Sequence, residues 1–279
     1  MKQNRQNGFD EFWKRIQNEI HSHPVITRNE YCKWFKKGEF NKKQLINLFE
    51  QFAVFSKWFL LVQMMRLLNA SDLEAETHAR YILANELGVG INPDGSTENQ
   101  PFRTAWAHIN WLRETARPLN LEPEHLGSWA TASHGTREFI RGLEETYGSK
   151  DGQVGQGSSY AIETWAAWGI GKGKEAESNN FWMELITGIK EYNRKNRLTG
   201  DEMIPLDFFM FHFNSEKGHG DNVLDELRRS FMKPDFDEDK FIESGKKALE
   251  AIYTFWTDLE NSRHHIDETR SRYAVFVGA

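Results

Sequence analysis

Apolar side chains return every three to four positions along most of this chain, the period of one face of an α-helix. The first such run is Phe9 to Ile20, where Phe12, Trp13, Ile16 and Ile20 share a face. His23-Pro24 closes it, because the residue before a proline disfavours helical backbone. Asn29 and Asn41 are each suited to cap the next helical segment. Lys42 to Leu68 then reads as one long helix, with Leu45, Leu48, Phe52, Phe55, Phe59 and Val62 at spacings of three and four. Ser71 is the expected cap of a helix through Leu87, stopped by Gly88. Gly90 to Gln100 has the composition of a loop. Phe102 to Arg117 is helical in pattern, and Glu122-Pro123 opens a further helical region. Arg137 to Tyr147 is amphipathic, Gly148 to Gly157 reads as a loop, and Ser158 to Trp168 as a helix broken by Gly169 to Lys174. Phe181 to Lys195, a helix after Pro205, and Asp235 to Leu259 complete the pattern. No run of alternating β-branched residues and no internal repeat interrupts it. The two loops join segments of similar composition. Together these features predict one all-α domain over residues 1–279.

Composition narrows the partners. Ten tryptophans and twenty phenylalanines give the chain an aromatic-rich core. A net charge of −6 without a basic patch argues against nucleic acid as the main partner. The single cysteine, Cys32, allows neither an internal disulfide nor a cysteine-based zinc site. The first residues, MKQNRQNGFDEFW, lack the apolar core of a signal peptide. The most apolar stretch, Phe52 to Leu68, is interrupted by Ser56, Lys57, Gln63 and Arg66, and reads as a buried core helix rather than a membrane span. The expectation is a soluble cytoplasmic protein without a membrane partner.

The residues that could carry chemistry begin with His212, Glu216 and His219, in the string H-F-N-S-E-K-G-H. Offsets of four and seven return to nearly the same helix face. Two imidazoles and a carboxylate pointing one way make a ligand set for a divalent first-row metal, whereas the plainer alternative is a polar helix face. Glu86, Glu163 and His108 lie in apolar surroundings, within Tyr81 to Gly88, Tyr160 to Trp168 and Ala105 to Leu112. Ionised side chains are buried there only when paired, hydrogen-bonded or metal-bound. For each, the alternative is a partly exposed glutamate or a core histidine bonded to a backbone carbonyl. Three glutamates and three histidines from four helices suit a di-metal site between facing helices. The paired Glu-x2-His helices of ferritin-like bundles are absent; Glu122-x2-His125 is one match, beside Pro123.

In their order along the chain these motifs resemble those of the haem-oxygenase-like di-metal oxidases and oxygenases. That superfamily also holds the TenA proteins, pyrroloquinoline-quinone synthase and p-aminobenzoate-forming enzymes. The matching residues are Asn85-Glu86-Leu87-Gly88, His108 before Trp111-Leu112, Ala161-Ile162-Glu163 before Trp165-Ala166, and His212-x3-Glu216-x2-His219. The resemblance covers about residues 45–259. It implies a bundle of about seven core helices, with Glu86, His108, Glu163, His212, Glu216 and His219 as metal ligands. Two departures stand out: Glu216 occupies a place often held by aspartate, and the gap from Glu86 to His108 is longer than in several members.

The activity so implied is O2-dependent oxidation of a small organic substrate by two iron ions, or manganese with iron. Glu86, Glu163 and Glu216 would bridge or chelate the metals, an electron donor is required, and a homodimer is compatible with the family. Gly218 and Gly220, flanking His219, suit a segment that orders on metal binding. Two alternatives remain open: a metal-free, cofactorless oxidase resembling pyrroloquinoline-quinone synthase, and a ligand-binding protein without chemistry. Among other residues, Tyr160, Trp165 and Trp168 could relay electrons or simply pack. Lys172 and Lys174 lie in a glycine-rich surface loop, His21 and His23 sit at a helix end, and His78, His264 and His265 are expected to be solvated.

Overall fold

The computed structural model describes residues 2–266, with side chains described from Gly8 onward. Met1 and residues 267–279, which the sequence assigns to the same domain, lie outside the described residues. The described chain is an all-α helical bundle. Its helices are α1 (Lys2–Ile16), α2 (Pro24–Thr27), α3 (Glu30–Phe35), α4 (Lys42–Leu68), α5 (Leu73–Glu86), α6 (His108–Ala116), α7 (His134–Glu145), α8 (Gly152–Ala166), α9 (Lys174–Glu177), α10 (Phe181–Lys195), α11 (Asp207–Phe231) and α12 (Glu238–Ser262). The one β feature among the described residues is an isolated bridge between Val89 and Phe102. A π-helical turn, Gln17–His21, extends α1.

Local chemistry sets the boundaries. Asn41 caps α4 through a reciprocal capping box with Gln44, and Asn29 caps α3. The cap of α5 is Asp72 rather than Ser71: its carboxylate accepts from the Ala75 amide and is held by Lys233 at 2.6 Å. A charged oxygen at a helix N-terminus outcompetes a neighbouring hydroxyl. Helix α6 starts only at His108, because Phe102 is drawn into the bridge with Val89 and Thr104–Trp106 forms a 3-10 turn. Glu122-Pro123 opens a series of turns, not a helix.

The largest departure is the expected loop from Gly148 to Gly157, of which Gly152 onward belongs to α8. Its glycines are spacers rather than breakers. A Cβ on Gly157 would collide with the Phe241 carbonyl oxygen and the Ser244 hydroxyl of α12. Helix α8 is consequently buried from Gly155 through Ile162 and again at Glu163, Trp165 and Ala166. It lies between α11 and α12; α7 packs on α12, while α4 carries α5, α6 and α7. Among the described residues, α4 alone is long and apolar enough to cross a membrane by length and composition. Its inward positions, from Leu45 through Val62, are core residues of the bundle.

Candidate metal centre

All six residues singled out from the sequence line one cavity. Glu86 ends α5, His108 opens α6, Glu163 lies on α8, and α11 contributes His212, Glu216 and His219 from one face. The long gap between Glu86 and His108 does not separate them. The intervening loop is closed at its base by the Val89–Phe102 bridge and by hydrogen bonds from the Arg103 amide to the Gly88 carbonyl and from the Gly90 amide to the Pro101 carbonyl. Gly88 is needed at this closure. Its φ is +106°, and a Cβ there would strike the Arg103 carbonyl. Leu87, next to Glu86 in an apolar stretch of sequence, is 46% exposed.

One half of the cluster centres on His108. Its Nδ1 lies 2.8 Å from Glu86 Oε2 and 3.3 Å from His212 Nε2. His212 Nδ1 is 2.7 Å from the Phe208 carbonyl oxygen and therefore carries that ring's proton. Its Nε2 thus presents a lone pair towards His108. Burial first, then the neighbouring His108, holds His212 well below the ordinary histidine range, so the ring is neutral. Trp182 stacks on it with centroids 4.5 Å apart, and Phe208 packs at 4.4 Å. A single proton on His108 Nδ1 faces two acceptors, while His108 Nε2 is buried without a partner.

The other half is Glu163, Glu216 and His219, whose ligand atoms all lie within 4.8 Å of one another. His219 Nδ1 stands 3.6 Å from Glu163 Oε2 and 3.4 Å from Glu216 Oε2. Burial, with the charges of Glu216 and Glu86, drives the Glu163 carboxyl up to about 7, against a lowering pull from His219. For His219, burial disfavours the cation, but Glu216, then Glu163 and Glu86, outweigh it and raise the ring to about 9. Neither Glu216 Oε2 nor His219 Nε2 has a hydrogen-bond partner.

The cavity has a volume of about 70 Å³, room for several water-sized groups. Its remaining walls are mainly apolar, with Phe52, Phe55, Phe59, Ile162, Trp165 and Trp182 among them. Of the aromatic residues flanking Glu163 in sequence, Trp165 faces this space, whereas Tyr160 and Trp168 do not line it. The Tyr160 hydroxyl and His21 Nε2 instead share a hydrogen bond at 2.9 Å, and Trp168 packs on His21 with centroids 5.1 Å apart. Burial and the charge of Lys172 pull His21 down to about 4, which keeps the ring neutral. Lys172 lies over the Trp168 ring at 4.5 Å. His23 caps α2 and contacts Glu250.

Two groups in or beside the site are not singled out by sequence reasoning. Trp182 fixes the His212 ring and belongs to a helix whose pattern shows only amphipathicity. Arg66 interrupts an apolar stretch, yet it continues the stripe Phe59, Val62 at the next helical step. It is 3% exposed and pairs through Nη2 with Glu226 Oε1 at 3.1 Å. Compared with models of known protein families and with curated proteins, the chain matches none.

Proposed function

We propose that the protein is an O2-dependent oxidase or oxygenase that uses a pair of iron ions, or manganese with iron, to oxidise a small organic substrate. The observation that carries this reading is the convergence of three carboxylates and three imidazoles in one largely buried cavity. Their donors and acceptors do not pair off within the cavity. Buried polar atoms normally have partners, yet His108 Nε2 and His219 Nε2 have none, and Glu216 Oε2 has only its 3.4 Å ion pair with His219 Nδ1. A mixed carboxylate and imidazole donor set is the chemistry that iron or manganese accepts, so the residues fit the group.

Two divalent ions neutralise three carboxylates better than a lone imidazolium does. Glu86, His108 and His212 would hold one ion and Glu163, Glu216 and His219 the other. When bound, such a pair supplies one-electron steps and O2 activation. The chain's own contribution is orientation and exclusion of water. The Phe208 carbonyl and the Trp182 face fix the His212 ring, leaving Nε2 free to act as a ligand. Phenylalanine and tryptophan walls keep the cavity apolar, which suits an uncharged or largely hydrocarbon substrate body. Membership of the haem-oxygenase-like superfamily is part of the same proposal, and the all-α bundle and the order of the six residues support it.

The test is anaerobic ferrous titration of metal-stripped protein, followed by O2 exposure under stopped-flow absorbance. Two irons per chain and a transient visible band are expected. Both should vanish in Glu163→Ala and His219→Ala. Absence of stoichiometric iron uptake together with absence of O2 consumption would overturn the reading and favour a cofactorless or binding protein.

A further inference from the structure

A second cavity adjoins the first. It is lined by Arg66, Glu226, His78, Ser159 and Asn222, and it shares Ile82 and His219 with the six-residue cavity. Its volume is about 20 Å³, room for one or two water-sized groups. Neither Glu163 nor Glu216 lines it.

Arg66 is the unusual feature of this space. The guanidinium is a planar fork with five N–H donors and no acceptor. Here Nη2 is satisfied by Glu226, while Nη1 is buried with no hydrogen-bond partner. A buried charged donor without an acceptor is costly. Gly155 of α8 packs beside it: a Cβ at that position would stand 3.8 Å from Nη1 and 3.3 Å from the Tyr147 carbonyl oxygen, so a larger residue there would crowd the guanidinium. A guanidinium N–H without an acceptor suits a carboxylate oxygen, with which it makes a charge-assisted hydrogen bond.

We propose that this cavity is a carboxylate-binding subsite for the substrate. The substrate is then a small monocarboxylic acid with an apolar body. Its carboxylate sits on Arg66 Nη1, and its body passes Ile82 and His219 into the aromatic cavity. Glu226 offsets the Arg66 charge in the empty site and holds Nη2, so the carboxylate is bound through Nη1 alone. The assignment of the body to the aromatic cavity rests on the proposed function; the anion subsite itself does not.

Calorimetric titration of metal-stripped protein with 3-phenylpropionate and with its uncharged amide tests the assignment without any contribution from metal. The acid should bind about ten-fold tighter or more than the amide, as a charge-assisted pair replaces a neutral one. Glu226→Gln should tighten the acid further by several-fold, because a negative charge beside the guanidinium is removed while its hydrogen-bond acceptor is kept. The double variant Arg66→Met with Glu226→Gln removes both charges together, and should bind acid and amide alike. Equal binding of the two by the unaltered protein overturns the assignment, as does an acid preference that survives the double variant. Failure of the acid to bind at millimolar concentration overturns it too. Iron titration of the unaltered protein separates the two ideas. Acid preference without iron uptake sinks the metal reading and leaves the subsite standing, and iron uptake without acid preference does the reverse.

Discussion

In α8, Gly157 lies so near α12 that a Cβ would collide with the Phe241 carbonyl oxygen and the Ser244 hydroxyl. In α11, the same atom added to Gly218 would meet nothing nearer than the Pro93 carbonyl oxygen at 3.5 Å, an ordinary contact. Both helices place candidate ligands around the same cavity, Glu163 from one and Glu216 with His219 from the other. In α8, glycine permits a close approach of two backbones that fixes the helix in the core. In α11, Gly218 gives up helix propensity without a packing return, although Gly220 two residues on does approach Ala167 closely. The site therefore has a braced side and a yielding side.

The largest effect should come from breaking the braced side. Gly157→Ala forces α8 away from α12 and should cost roughly 3 kcal/mol or more, since the obstacle is backbone rather than a flexible side-chain end. Urea unfolding of the metal-free protein measures it. A loss below about 1 kcal/mol would mean that the α8–α12 contact is softer than its geometry suggests.

A smaller effect, dependent on pH, comes from Glu163. Its carboxyl is raised from 4.5 to about 7 in the fold. A raised carboxyl contributes stability that is fully present below the unfolded value and lost as pH rises through the folded one. Glu163→Gln should therefore leave metal-free stability unchanged near pH 4 and increase it above pH 7. The gain is on the order of 2 kcal/mol, less than the full shift implies, because His219 loses one of its carboxylate neighbours. The same substitution should weaken iron binding at every pH. If the difference in unfolding free energy between the two proteins stays flat from pH 4 to 8, Glu163 is not held protonated by its surroundings.

Legibility in the sequence divides along similar lines. Lys42–Leu68 and Phe181–Lys195 match the expected helices residue for residue, because long runs of apolar residues at helical spacing leave little choice. His212, Glu216 and His219 share a face because they belong to one helix, and local geometry suffices for that. Glu86 and His108 meet through the closure at Gly88, which a loop's composition does not reveal. The start of α8 is hidden because glycine has the same local signature in a loop and at a close helix contact. Arg66 is hidden for a related reason: period marks it as inward-facing, but only its pairing with Glu226 makes burial tolerable.

The smallest effects test the yielding side. Gly218→Ala places a methyl group in ordinary contact and removes the backbone entropy that glycine brings to a helix. It should stabilise the metal-free protein by about 0.5–1 kcal/mol, opposite in sign to Gly157→Ala. Hydrogen exchange then tells whether that looseness serves the site. Adding ferrous iron to the unaltered protein should slow exchange across Met210 to Asp221, as ligands on α11 become tied to those on α5, α6 and α8. Helix α8 should change little, being fixed already by α12. In Gly218→Ala the iron-induced slowing should shrink, because part of the ordering is present beforehand. Equal slowing in both helices would mean that the site closes as one body and that the glycines of α11 have no part in it. No slowing in either, with iron bound, would mean that α11 is already as ordered as the core.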